Sequence, residues 1–153
     1  MSIIDSQEFK VAPARYENIA DITVLEKLVY PKDAYPALFF YQALRQWPET
    51  FLIVKSKELV AGYSLLVPVS DSALSLMSVL VGKQYQGKGL GAKLLRESLV
   101  LARSLNYQRI ELSVSPDNES AIALYNRLGF KEAESVRDYL GPGQDRLVMV
   151  LLL

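Results

Sequence analysis

The stretch ALSLMSVLVGKQYQGKGLGAKLLRESLVLARSL, Ala73 to Leu105, constrains the fold more than any other part of the chain. It reads as a strand from Ala73 to Val81, a glycine-rich loop, and a helix from Leu90 to Leu105. At about 100° per residue, Leu90, Leu94, Leu95, Leu99, Leu101, Ala102 and Leu105 fill one half of the helical wheel, and Lys93, Arg96, Glu97 and Arg103 occupy the other. A helix with one such face lies on a sheet, and its N-terminus points at a strand end. There the unpaired backbone N–H groups and the helix dipole favour an anion.

Alternating elements surround this segment. A short strand near Phe9 to Ala12 precedes a helical pattern, Ile19, Ile22, Val24, Leu25 and Leu28, closed by Pro31, and a second helix from about Tyr35 to Gln46. Thr50 to Lys55 and Leu59 to Val69 form a hairpin across the polar turn Ser56 to Glu58, with Ala73 to Val81 as the next strand. A strand at Arg109 to Val114, a helix at Asn118 to Leu128, and strands near Phe130 to Ser135 and Arg146 to Leu152 complete the order. Strands that meet first as hairpins and then through helical crossovers predict a mixed sheet. With 153 residues, half of them apolar, and no internal repeat, the expectation is one domain over residues 1–153.

The formal net charge is zero and no run of like charge occurs, which argues against a nucleic-acid footprint or a basic membrane surface. MSIIDSQEFK carries two acids and no long apolar run, so it reads as neither signal peptide nor anchor, and the closing LVMVLLL is too short to span a bilayer. These features predict a soluble, cytoplasmic protein, monomer or homodimer, with no nucleic-acid or membrane partner. Cysteine and histidine are absent. That removes disulfides, thiol nucleophiles, the usual zinc sites and imidazole bases, and leaves acid–base work to Asp, Glu, Tyr, Lys or a terminal amine.

Three phosphate-binding fingerprints overlap in the glycine-rich loop. Gly82, Gly87 and Lys88 satisfy G-x-x-x-x-G-K, but Gly89 follows where a triphosphatase needs Ser or Thr to hold magnesium. Gly87, Gly89 and Ala92 read G-x-G-x-x-A, with Glu111 at a suitable distance for a ribose hydroxyl. Against that reading, Gly82 to Gln86 separate the strand from the first glycine, and several elements precede the motif. Gln86, Gly89 and Gly91 satisfy Q-x-x-G-x-G directly after SVLV, where glycines let a backbone nest approach a pyrophosphate.

With this third motif and NESAIALYNRLGF, Asn118 to Phe130, the sequence resembles the GNAT superfamily of acetyl-CoA-dependent N-acetyltransferases, nearest in pattern to the ribosomal-protein N-terminal acetyltransferases. The resemblance implies an α+β fold with a central mixed, mostly antiparallel sheet of about seven strands and about four helices. It implies acetyl-CoA as cofactor, its pantetheine arm on the backbone of Val79 and Val81 and its pyrophosphate in the loop Gln86, Gly87, Lys88, Gly89, Leu90, Gly91 and Ala92. It also brings Asn118 to the cofactor, although that residue reads equally well as a helix cap. Tyr125 matches the family tyrosine that protonates the departing thiolate, while its place beside Ala121, Leu124 and Leu128 also suits a core residue.

The implied reaction is direct attack of an amine on the acetyl thioester. Its proton needs a carboxylate, acting directly or through water. Ser113 stands where the ribosomal-protein enzymes carry a glutamate. Glu111, two residues earlier and on the same strand face, is the candidate base through water or else an acid paired with a neighbouring cation. Tyr30 to Phe40 and Arg137 to Val150 resemble loops flanking a peptide groove. They make Tyr30, Tyr35 and Tyr139 candidate acceptor contacts, although Leu140 replaces the second tyrosine of a family pair. The expected acceptor is a peptide or protein N-terminus. A free small-molecule amine is the alternative, and a non-catalytic acyl-CoA sensor is the alternative of another class.

Overall fold

The computed structural model describes residues 8–153; the first part of the N-terminal stretch read as neither signal peptide nor anchor lies outside the described residues. Among these residues the strands are β1 (Lys10–Pro13), β2 (Phe51–Ser56), β3 (Leu59–Pro68), β4 (Ala73–Val81), β5 (Arg109–Val114), β6 (Lys131–Val136) and β7 (Arg146–Leu152). The helices are α1 (Ile19–Val29), α2 (Ala37–Gln46), α3 (Leu90–Ser104) and α4 (Glu119–Arg127), with short 3-10 turns between some elements. The strands form one sheet in the order β1-β2-β3-β4-β5-β7-β6. Pairings β1–β2, β2–β3, β5–β7 and β6–β7 are antiparallel and β4–β5 is parallel, the mixed sheet expected of hairpins followed by a helical crossover.

The chain divides into two compact units, one of residues up to Leu66 with Ser78–Ser98, the other of Val67–Met77 with Leu99–Leu153. In the first, Phe40, Phe51 and Tyr63 are wholly buried and meet as an aromatic cluster, Phe40–Tyr63 at 5.2 Å and Phe51–Tyr63 at 6.0 Å between ring centroids. A buried hydroxyl pair fixes α3 on β3: Ser98 Oγ donates to Leu94 O at 2.8 Å, so Ser64 is left to donate to Ser98 across 2.9 Å. Gly62 lets β3 approach β4, because a Cβ there would collide with Leu80 O. In the second unit, Ile110, Leu112 and Val114 alternate inward along β5 and are buried, as are Met149 and Leu151 of β7.

One helix faces a direction its apolar residues did not announce. Val24 and Leu28 are both 58% exposed, while the buried residues of α1 are Ile19, Ile22, Leu25 and Glu26. At about 100° per residue Glu26 falls in the arc of Ile19 and Ile22, and Val24 and Leu28 fall opposite. Apolar identity pointed one way and angular position the other; position decided.

Candidate active site

In the first unit the end of β4 runs into a loop whose backbone is arranged by glycine. Gly82 is packed tight: its N–H donates to Ala61 O at 2.8 Å, and a Cβ there would lie 2.8 Å from Leu25 Cδ2. Packing alone thus accounts for a glycine at this position. Lys83–Tyr85 form a 3-10 turn that buries Tyr85 against Phe9, ring centroids 6.0 Å apart. Gln86 Nε2 donates to Val81 O at 3.0 Å and so ties the loop back onto the strand that carries it.

Gly87 and Gly89 follow with φ of +82° and +75°, the left-handed region in which a side chain is strained. A Cβ at either position would meet nothing within 4 Å, so both face open space. The first α-helical bond joins Lys93 N–H to Gly89 O, which makes Gly89 the capping position of α3 and leaves the amides of Leu90, Gly91 and Ala92 without intrahelical acceptors. Two glycines open to space, a helix N-terminus and a half-buried Lys88 suit a diphosphate. Val79 and Val81 are half-buried, in keeping with a backbone role that asks little of the side chains.

The second unit holds the other predicted residues. The parallel ladder of β4 with β5 runs from Ala73–Arg109 to Ser75–Glu111. Glu111 lies on the less buried face of β5 and pairs with Arg109, Nη2 to Oε2 3.7 Å, which is the ion pair the sequence left open. On the same face Ser113 is held by Arg146: its Oγ accepts from Nε at 3.3 Å and its carbonyl from Nη2 at 2.9 Å. Asn118 caps α4, its Oδ1 accepting from Ala121 N–H and from the Ser120 hydroxyl, each at 3.2 Å. Tyr125 is 8% exposed and packs edge-on against Phe130 at 5.8 Å, on the buried arc that the helical wheel assigned to it.

The residues of the candidate acceptor loops differ in exposure. Tyr35 stacks on Phe39 at 4.4 Å, and its N–H donates to the Glu26 carboxylate at 3.4 Å, whereas Tyr30 is 46% exposed. In the 137–145 turn, Asp138 Oδ1 accepts from Gly143 N–H at 2.8 Å and Asp145 Oδ1 from Asp138 N–H at 2.9 Å. This turn presents Tyr139 and Leu140 outward, 50% and 58% exposed.

Sequence reasoning passed over Glu26 and Arg146. Glu26 is 1% exposed, and burial pushes its carboxyl above the usual carboxylate range, with the Tyr63 and Tyr35 hydrogen bonds opposing that shift. Its angular position among Ile19, Ile22 and Leu25 was the available signal. Arg146 stands at the start of β7, where no local pattern marks Ser113 as its partner.

The profile of the acetyltransferase (GNAT) family matches residues 16–130. The chain belongs to that family. This GNAT protein is an acetyl-CoA-dependent N-acetyltransferase. It is 28% identical to an N-alpha-acetyltransferase of Sulfurisphaera tokodaii over 94% of this chain and 92% of that one. Its fold is shared with Ard1 from Thermoplasma volcanium, at TM-score 0.88 and 20% identity over 95% of this chain and 97% of that one. It is likewise shared with the ribosomal-protein-S18-alanine N-acetyltransferase from Escherichia coli, at TM-score 0.82 and 22% identity over 95% and 94%.

Proposed function

We propose that the amine acetylated by this GNAT enzyme is the α-amine of a peptide or protein N-terminus. The observation that carries the reading is the similarity, along nearly the whole chain, to an archaeal protein named N-alpha-acetyltransferase. Within its own unit each candidate acceptor loop is tied down, the Tyr35 segment to Glu26 and the 137–145 turn by Asp138 and Asp145. We take the chain to act as one domain over residues 1–153, as a monomer or homodimer in the cytoplasm.

Bound acetyl-CoA supplies an activated acetyl thioester. Gln86 through Ala92 would hold its pyrophosphate, with Gly87 and Gly89 clearing the approach and the amides of Leu90, Gly91 and Ala92 donating to it. Backbone groups of Val79 and Val81 would pair with the pantetheine arm as an added strand would. Gln86 already uses the Val81 carbonyl, so the arm has the remaining groups of that segment to address. Asn118 keeps its side-chain N–H groups for the cofactor because its Oδ1 is spent on the cap. Tyr125 would give its phenolic proton to the departing sulfur, and Tyr30, Tyr35 and Tyr139 would flank the acceptor. Glu111, to take the ammonium proton through water, would have to do so against its contact with Arg109.

Thiol release from acetyl-CoA, measured over peptides of varied first residue and over amino acids, polyamines and aminoglycosides, tests the acceptor. Turnover confined to free peptide α-amines, abolished by prior blocking of the N-terminus, is the expected result. Turnover confined to small amines would overturn it. Silence over the whole panel, with thermal stabilisation by acetyl-CoA intact, would make the chain a sensor.

A further inference from the structure

A carboxylic acid with 1% exposure, on an enzyme that lacks histidine and cysteine, is an unusual group to leave without a task. Glu26 Oε2 accepts from the Tyr63 hydroxyl at 2.8 Å, and that hydroxyl lies 2.7 Å from Ser78 Oγ. Tyr63 is wholly buried, while Ser78 is half-buried. The three groups therefore form an unbroken hydrogen-bonded chain from the interior to β4, ending one residue before Val79. Glu26 Oε1 meanwhile accepts from the N–H of Tyr35, in the loop read as flanking the acceptor. The chain and the acceptor loop converge on the same carboxylate.

We propose that Glu26, Tyr63 and Ser78 are a proton relay that receives the proton of the acceptor amine. The proposal rests on the reading of this chain as an amine acetyltransferase with its cofactor arm along Val79 and Val81. The hydroxyls carry one proton each, so the chain has two consistent directions. With Glu26 ionised, Ser78 donates to Tyr63 and Tyr63 to Glu26. Ser78 Oγ is then an acceptor toward the substrate. When the ammonium passes its proton to Ser78, directly or through one water, Ser78 hands its own to Tyr63 and Tyr63 hands its own to Glu26. Glu26 ends as the neutral acid, both hydroxyls are restored, and the amine is left with the lone pair that forms the C–N bond. Reversal through the same atoms returns the proton to solvent after product leaves.

Ser78 is the group that meets the acceptor; Tyr63 and Glu26 are positioning residues behind it. Burial suits the carboxyl to this work, because it favours the neutral form and so makes the group a better proton acceptor than an exposed glutamate. The titratable group facing it is the phenol of Tyr63 on β3, Tyr35 meets it through its backbone N–H, and no cation pairs with it among the described residues. Glu111, by contrast, is tied to Arg109.

The test uses the full chain, with acetyl-CoA and whichever amine the wild-type enzyme acetylates. Glu26→Gln preserves shape and hydrogen-bond acceptance but takes up no proton. Its kcat should fall by about 100-fold, with the KM for acetyl-CoA and the thermal shift by acetyl-CoA unchanged. The acid limb of the kcat profile, where activity rises as a carboxyl ionises, should vanish. Ser78→Ala, at the half-exposed end and easy to accommodate, should lose as much, and the double variant should lose no more than either single one. Wild-type kcat and an unchanged acid limb in both single variants would overturn the relay and leave the transferase reading standing. No turnover by the wild-type enzyme with any amine would overturn both.

Discussion

Two helices begin in this molecule in opposite ways. At the start of α3 the capping position is Gly89, which has no side chain to offer, so the first-turn amides are left without a side-chain cap. At the start of α4 the capping position is Asn118, whose Oδ1 already takes the Ala121 amide. Every helix starts with the same orphan donors. A residue that cannot satisfy them makes a binding device, and one that can makes a structural joint. Sequence motifs assigned both starts to the cofactor. The geometry separates them: the first-turn amides of α3 have no side-chain cap, while α4 is capped by its own Asn118, and on the reading proposed above α3 would bind with its backbone and α4 would present Tyr125.

The comparison breaks first at Tyr125. If α4 exists to present a phenol, Tyr125→Phe should lower kcat by about 100-fold and leave acetyl-CoA affinity alone, checked by steady-state kinetics and calorimetric titration. An unchanged kcat would return Tyr125 to the core and deprive α4 of its task.

The next effect falls on α3. Gly89→Val places a β-branched side chain at φ +75°, a strain of about 1–2 kcal/mol, and sets a Cβ in the open space of the cradle. Acetyl-CoA binding should weaken by about tenfold or more, with kcat at saturation little changed. Equal binding by the variant would mean that the loop does not hold the cofactor.

Asn118→Ala is the counterpart on α4. Loss of the cap should cost about 1 kcal/mol, seen as a fall of about 2–4 °C in melting temperature, with a smaller effect on acetyl-CoA affinity than Gly89→Val. The reverse ranking would show that Asn118 is chiefly a ligand of the cofactor.

The smallest expected effect concerns the buried carboxyl. Its folded-state pKa is raised, so over the interval from the ordinary glutamate value up to the raised one the native state binds more protons than the unfolded state. The contribution of Glu26 to stability is therefore full below that interval and is lost as pH rises through it. Glu26→Gln does not titrate. Its melting temperature relative to wild type should climb as pH increases across the interval and then level off, and a flat difference would mean that Glu26 stays ionised throughout.

Much of the fold was legible because local chemistry writes it. Ala73–Val81, Arg109–Val114 and Arg146–Leu152 have the bounds that their apolar runs predicted, since a strand between turn residues has few alternatives. Gly87 and Gly89 were legible as a loop because left-handed backbone is a property of single residues. The helical pattern of α1 was legible too, but not which of its apolar residues are buried: Val24 and Leu28 are exposed.

The sequence by itself determined the order of elements, the glycine cradle, the family, and the absence of imidazole and thiol chemistry. Each depends on residue identity or on spacings short enough for a helix or strand period to register. Only the tertiary structure decided that Ser113 is held by Arg146 and that Glu26 is joined to Ser78 through Tyr63. Glu26 and Tyr63 lie 37 residues apart, Tyr63 and Ser78 15 apart, and no backbone period links such positions. Helix facing and strand adjacency bring them within hydrogen-bond reach, and those are properties of the packed core.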